Sequence, residues 1–138
     1  MIFVDTNILV FATQTTSPRY QRARDALARA MPLAISAQVL REFYAVTTHP
    51  RFAPHPVEPV RVAADIKRFS ANFTILPESD ASFERLMILI DRHRIVGRAV
   101  HDANIAATML ANGVTRILTD NAADFRRYAP EIEIVGLA

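Results

Sequence analysis

A three-layer α/β/α fold around a central parallel sheet of four to five short strands is the architecture the sequence predicts, and three observations predict it. Short apolar runs recur, each closed by a polar or acidic residue: Ile2-Phe3-Val4 before Asp5, Leu33-Ala34-Ile35 before Ser36, Ile117-Leu118 before Thr119. Such runs leave no polar face, as expected of strands buried on both sides. Stretches of helical period separate them, and strands alternating with helices give a parallel sheet covered on both faces. The third observation is size: 138 residues suffice for one core and fall short of the length that splits, so one domain over 1–138 is expected.

Taken in order, residues 2–5 form the first strand and a helix follows over 6–13. Ser17 and Pro18 predict an N-cap and first turn for a helix running to about Ala30. Residues 33–36 make the second strand, and Ser36 is placed to cap a helix over 37–48. Four prolines between 49 and 59 forbid regular pairing and mark an exposed loop. A helix over about 57–71 leads into a strand at 73–76, and Ser79 or Asp80 caps a helix ending near Arg94. Gly97 breaks the chain before the clearest helix, 98–112, which Asn112-Gly113 ends. A strand at 116–119, a short helix near 122–128 and a last strand near 132–135 complete the chain.

Composition excludes several classes. There is no cysteine, which removes disulfides, thiolate metal sites and cysteine nucleophiles and fits a reducing compartment, with the cytoplasm expected. The longest aliphatic run, Leu86 to Ile90, is far below a membrane span, and Met1 leads straight into a strand without a basic leader, so neither export nor membrane insertion is expected. The net charge of +2 is weak support for a polyanion partner. Local arginine clusters at 92–98 and 126–127 flank acidic positions and read equally as solvated helix ends or phosphate contacts.

Acids occupy positions that surface chemistry explains poorly. In parallel sheets the functional cleft opens at the carboxyl ends of the strands, where Asp5 and Asp120 both fall. Asp5 with Thr6 and Asn7 puts a carboxylate, a hydroxyl and an amide in one turn, where a plain N-cap needs only one. Glu42 lies at the edge of the stripe formed by Val39, Phe43 and Val46, half turned toward the sheet. Asp102 begins the stripe of Ile105, Ala106 and Met109 that must pack on the core, with His101, Asn104 and Thr108 expected opposite. After the fourth strand, Thr119-Asp120-Asn121 through Asp124 supplies two acids, and spacing leaves open which one faces the cleft.

Two carboxylates about 4 Å apart repel by roughly 4 kcal/mol at an effective dielectric near 20, so a converging set needs a cation or shared protons. The histidines at 49, 55, 93 and 101 make no paired spacing on one helix face, so zinc is not expected. Oxygen ligands alone select Mg²⁺, with Mn²⁺ as substitute, and such an ion suits phosphodiester hydrolysis.

Together these pieces resemble the PIN-domain ribonucleases, and more narrowly the VapC-type toxins of toxin-antitoxin pairs. The resemblance spans nearly the whole chain and rests on residues 3–9, on Glu42 in a Ser-capped helix, on His101-Asp102-Ala103-Asn104-Ile105-Ala106-Ala107, and on residues 117–121 through Asp124-Phe125. It implies a metal-dependent endoribonuclease acting on structured or messenger RNA, homodimeric and held inactive by a small antitoxin. It also implies Asp5, Glu42, Asp102 and Asp120 as catalytic acids, with metal held by Asp5, Asp102 and Asp120 and with Glu42 and Asp124 as further ligands. Thr6, Asn7, Thr119 and Asn121 would then position the substrate. A housekeeping RNA-processing nuclease and a non-catalytic RNA- or protein-binding relative are the alternatives, the latter opposed by the intact acids. A receiver domain would need a lysine late in the chain, whereas the single lysine is Lys67 in mid-chain. A dinucleotide-binding module fails because the only glycines are 97, 113 and 136.

Overall fold

The computed structural model describes residues 1–53 and 55–137; Pro54 of the expected loop and Ala138 lie outside the described residues. Five strands alternate with helices: β1 (Ile2–Val4), α1 (Thr6–Thr13), α2 (Tyr20–Arg29), β2 (Leu33–Ser36), α3 (Ala37–Thr48), α4 (Pro59–Asn72), β3 (Thr74–Leu76), α5 (Asp80–His93), α6 (Ala99–Ala111), β4 (Arg116–Leu118), α7 (Ala122–Phe125) and β5 (Glu133–Val135), with a 3₁₀ turn over Arg126–Tyr128. All strand pairs are parallel, in the order β3-β2-β1-β4-β5. The chain therefore builds outward from β1 through β2 to β3, then returns to the other side of β1. Because parallel crossovers are right-handed, this reversal puts α1–α4 on one face and α5–α7 on the other. The helix packing agrees, with α1 against α2 and α3, α3 against α4, and α6 against α5 and α7.

The apolar positions of the central strands are inaccessible, as their sequence requires: Phe3, Val4, Ala34, Ile35 and Ile117 have no exposed surface. Phe43 of α3 meets Phe69 of α4 edge-on with ring centroids 5.3 Å apart. Truncating a buried ring of this kind costs about 3–5 kcal/mol.

Local signals held in some places and moved in others. Ser36 caps α3 by accepting from Val39 N–H at 3.4 Å. Ser79, rather than Asp80, caps α5 in a reciprocal pair with Ser82. Ser17 does not cap α2, which starts at Tyr20 after an uncapped Arg19; residues 17–20 form a turn instead, with the Ser17 hydroxyl accepting from Arg19 N–H at 3.1 Å. Phe73 ends α4 instead of opening β3, and the expected helix over 122–128 divides into α7 and the 3₁₀ turn. Thr108 is not on a polar side of α6: that helix is buried from Ile105 to Met109 between α5 and the sheet, and the Thr108 hydroxyl finds no partner among the described residues.

Candidate active site

The order β3-β2-β1-β4-β5 makes the ends of β1 and β4 neighbours at the point where the winding reverses, the position where parallel sheets open a crevice. Asp5 follows β1 there and is the N-cap of α1, its Oδ1 accepting from Thr6 N–H at 2.8 Å. Its Oδ2 accepts from the Thr119 hydroxyl at 2.7 Å and the Asn7 amide at 3.0 Å. Asn7 also reaches across to β4, accepting from Asp120 N–H at 3.1 Å and donating to the Thr119 hydroxyl at 3.3 Å.

Glu42 approaches from α3, its position at the stripe's edge leaving it half-buried. One oxygen accepts from the Thr6 hydroxyl at 2.9 Å and the other from the Gln38 amide at 2.8 Å. Asp102 in the first turn of α6 and Asp124 in α7 complete the group. These four acids line one open cavity of about 710 Å³, together with Arg41, Arg98 and His101 and with an apolar wall that includes Phe11 and Phe52.

Electrostatics shows how close the acids stand. Asp102 has its pKa raised to about 7, first by burial and then by the charges of Asp124, Asp5 and Glu42, while Arg127 opposes the shift. Burial also raises Asp5, against the lowering effect of its hydrogen bonds to Thr119 and Thr6, and Glu42 and Asp124 add to the rise. Negative charge in the cavity thus exceeds what its own cations neutralise.

Asp120 stands apart from this group. It is not in the cavity lining; its Oδ2 pairs with Arg19 Nε at 2.9 Å. The physical reason is the Asn7 contact, which binds the backbone of residue 120 and leaves its side chain directed to α2, while one turn of α7 carries Asp124 to the cleft. The polar residues beside the acids are engaged with protein partners: Thr6 with Glu42, Asn7 and Thr119 with Asp5, and the Asn121 amide with Asp124.

The donor set is wholly oxygen, which suits a hard divalent ion. Among the described residues no group of three His, Cys, Asp or Glu side chains is placed so that it could hold a metal ion by itself. Magnesium keeps several waters and uses one or two carboxylates, so an open arrangement of this type fits it.

Residues 2–130 match the PIN domain family. The chain belongs to the PIN-domain family. The ribonuclease VapC24 of Mycobacterium tuberculosis is 29% identical over 132 residues, covering 93% of this chain and 91% of that protein. Among solved structures, VapBC2 from Rickettsia felis bound to a promoter DNA fragment superposes with a TM-score of 0.69 at 23% identity, covering 99% of this chain and 98% of the other. The Mycobacterium tuberculosis VapC20, described as a Sarcin-Ricin loop cleaving toxin, superposes with a TM-score of 0.71 at 21% identity, covering 94% and 95%.

Two features of this PIN domain escaped the sequence reading. Gln38 carried no signal as a site residue, since a glutamine in the first turn of a helix reads as solvated surface; yet it is buried against Glu42. The arginine clusters also divide in space. Arg98 lines the cavity and Arg127 acts on Asp102, whereas Arg92 pairs with Glu131 at 2.9 Å.

Proposed function

We propose that this PIN domain, a single domain over the whole chain, is a Mg²⁺- or Mn²⁺-dependent endoribonuclease and the toxin of a toxin-antitoxin pair. The observation that carries the reading is the convergence of Asp5, Glu42, Asp102 and Asp124 from four separate elements on one cavity. One or two of Asp5, Asp102 and Asp124 would hold the ion directly and the rest through its waters, with Glu42 alongside, Asp124 taking the place that the resemblance gave to Asp120. A bound divalent ion supplies a Lewis acid that activates water and stabilises the leaving oxygen of the phosphodiester.

The chain's own residues do the rest. Thr119, Asn7 and Thr6 fix the orientations of Asp5 and Glu42 before substrate arrives. Arg98 and Arg41 at the cavity present guanidinium groups suited to RNA phosphates. Asp102, whose carboxyl is held near neutrality by burial and by the neighbouring acids when no ion is present, would give up its proton as the ion binds.

VapC24's designation as a ribonuclease and the VapC20 description support RNA as substrate. The VapBC2 complex, and a toxin-antitoxin complex from Klebsiella pneumoniae that superposes with a TM-score of 0.69, support a small antitoxin as partner. A homodimer is supported by Phe83 and Met87, one turn apart and exposed on α5, and by Ile75, exposed on the edge strand β3. No helix among the described residues is long and apolar enough to cross a membrane, and the reading places the protein in the cytoplasm.

The test is cleavage of RNA by purified protein with Mg²⁺ or Mn²⁺, with excess chelator and with Asp5→Asn. Cleavage that depends on metal and is lost in the variant is expected; cleavage that persists in chelator overturns the mechanism. Co-expression with the product of a short adjacent reading frame should suppress it, and light scattering should give twice the chain mass.

A further inference from the structure

We propose that Gln38 is a positioning residue that fixes the Glu42 carboxylate against α6 and so sets the spacing between Glu42 and Asp102. The inference rests on the metal-dependent nuclease reading and deepens it.

Gln38 is the second residue of α3 and lies one turn before Glu42, with 6% of its surface exposed. Burying an amide is unfavourable unless its polar atoms are bonded, and an apolar residue would serve packing alone better. Here every polar atom has a partner. Nε2 donates to Glu42 Oε1 at 2.8 Å and to the backbone carbonyl of His101 at 2.9 Å, and Oε1 accepts from Asn104 Nδ2 at 2.7 Å.

The chemistry of those partners leaves one orientation for the amide. A carboxylate and a carbonyl only accept, so both require the NH₂ side of Gln38; the carbonyl side must then face a donor, which Asn104 provides. Asn104 is held in turn, donating also to Glu78 Oε1 at 2.9 Å. A continuous run of bonds therefore links Glu78, Asn104, Gln38, Glu42 and Thr6, crossing from α6 to α3 and on to α1.

Two consequences follow for the site. Glu42 is restrained at both oxygens, by Thr6 and by Gln38, and each oxygen keeps capacity for a further partner on the cavity side. The His101 carbonyl is adjacent to Asp102, so one amide ties the Glu42 carboxylate to the backbone that carries Asp102. Without Gln38, repulsion from Asp5 and Asp102 acts on a Glu42 held only by Thr6.

The experiment compares wild type, Gln38→Met, Glu42→Gln and the double variant, with Mn²⁺ binding to metal-free protein followed by electron paramagnetic resonance and RNA cleavage followed against Mg²⁺ concentration. Gln38→Met is expected to weaken Mn²⁺ binding about tenfold and to raise the Mg²⁺ needed for half-maximal rate by a similar factor, with little change in rate at saturation. In the Glu42→Gln background the same change should add nothing, because Gln38 acts through Glu42. Additive losses, or wild-type Mn²⁺ affinity in Gln38→Met, overturn the proposal.

A crystal structure of metal-free Gln38→Met gives an independent readout. The Glu42 carboxylate should shift away from the His101 backbone, and Glu42 unmoved overturns the proposal. Should Gln38→Met fold poorly, Asn104→Asp, at a half-buried site on α6, replaces the donor facing Gln38 Oε1 with an acceptor; it should turn the amide away from Glu42 and weaken Mn²⁺ binding in the same direction. If wild type binds Mn²⁺ but cleaves no RNA, the nuclease reading fails while the binding cycle still decides the role of Gln38. If it binds no metal, the crystal structures decide it.

Discussion

The Thr119 hydroxyl donates to Asp5 Oδ2 at 2.7 Å, joining the polar residues that end β4 and β1 across 114 positions of sequence. Beside it, Asp5 N–H donates to the Leu118 carbonyl at 3.0 Å, so backbone and side chain close the same seam. The carboxylate is thereby oriented by the sheet itself.

Thr119→Val removes that buried donor while keeping the side chain's shape. Hydrogen bonds to charged groups are worth about 1.5–3 kcal/mol, and a loss of that size is expected in urea unfolding. Ribonuclease activity should fall with it, because Asp5 loses its orientation.

Asp124 and Asp120 give opposite expectations despite lying on the same short segment. On the proposed role of Asp124 as an ion ligand, Asp124→Asn should reduce cleavage at least about 100-fold. Asp120→Asn breaks only the exposed pair with Arg19 and should change stability by less than about 1 kcal/mol, with activity close to wild type. Steady-state cleavage assays on the two variants distinguish them; equal losses would contradict the assignment of Asp124 to the cleft.

Stability of the metal-free protein should fall as pH rises. Asp102 has a folded pKa of about 7, above the unfolded value of about 3.9, so between these limits the native state binds more protons than the unfolded one and each pH increment favours unfolding. Asp5, raised in the same direction, adds to the trend. Melting temperatures across this window should decline in wild type and decline less steeply in Asp102→Asn. Ion affinity should change in the reverse sense, rising as the proton leaves.

Thr108→Val should stabilise the fold. The buried hydroxyl has no partner among the described residues, and an unpaired hydroxyl costs about 1–3 kcal/mol in proteins. Replacing it with a methyl of similar shape should raise the unfolding free energy by about 1 kcal/mol. Denaturant unfolding with an unchanged m-value would confirm a native-state effect.

The parallel sheet was legible because buried strands carry a local signature: runs such as Ile2-Phe3-Val4 leave no solvated face. Asp5 and Asp102 were legible for a related reason, each interrupting an apolar pattern at an element's start. The choice between Asp120 and Asp124 was not, since it depends on Asn7 binding the backbone of residue 120 from the far end of the chain. Gln38 was hidden for the same cause, as its partners His101 and Asn104 lie on another helix. Thr108 misled because a β-branched hydroxyl residue fits a buried helix as readily as a half-exposed one, and the packing of α5 decided the matter.

The placement of β1 between β2 and β4 bears on how the protein is made. The neighbour that steadies Asp5 lies 114 residues further along the chain and so is translated well after it. A nascent polypeptide that has not yet reached Thr119 has neither the clamp on Asp5 nor Asp124. A fragment that stops before Thr119 thus lacks part of the acidic cavity, and on the nuclease reading it should not cleave RNA.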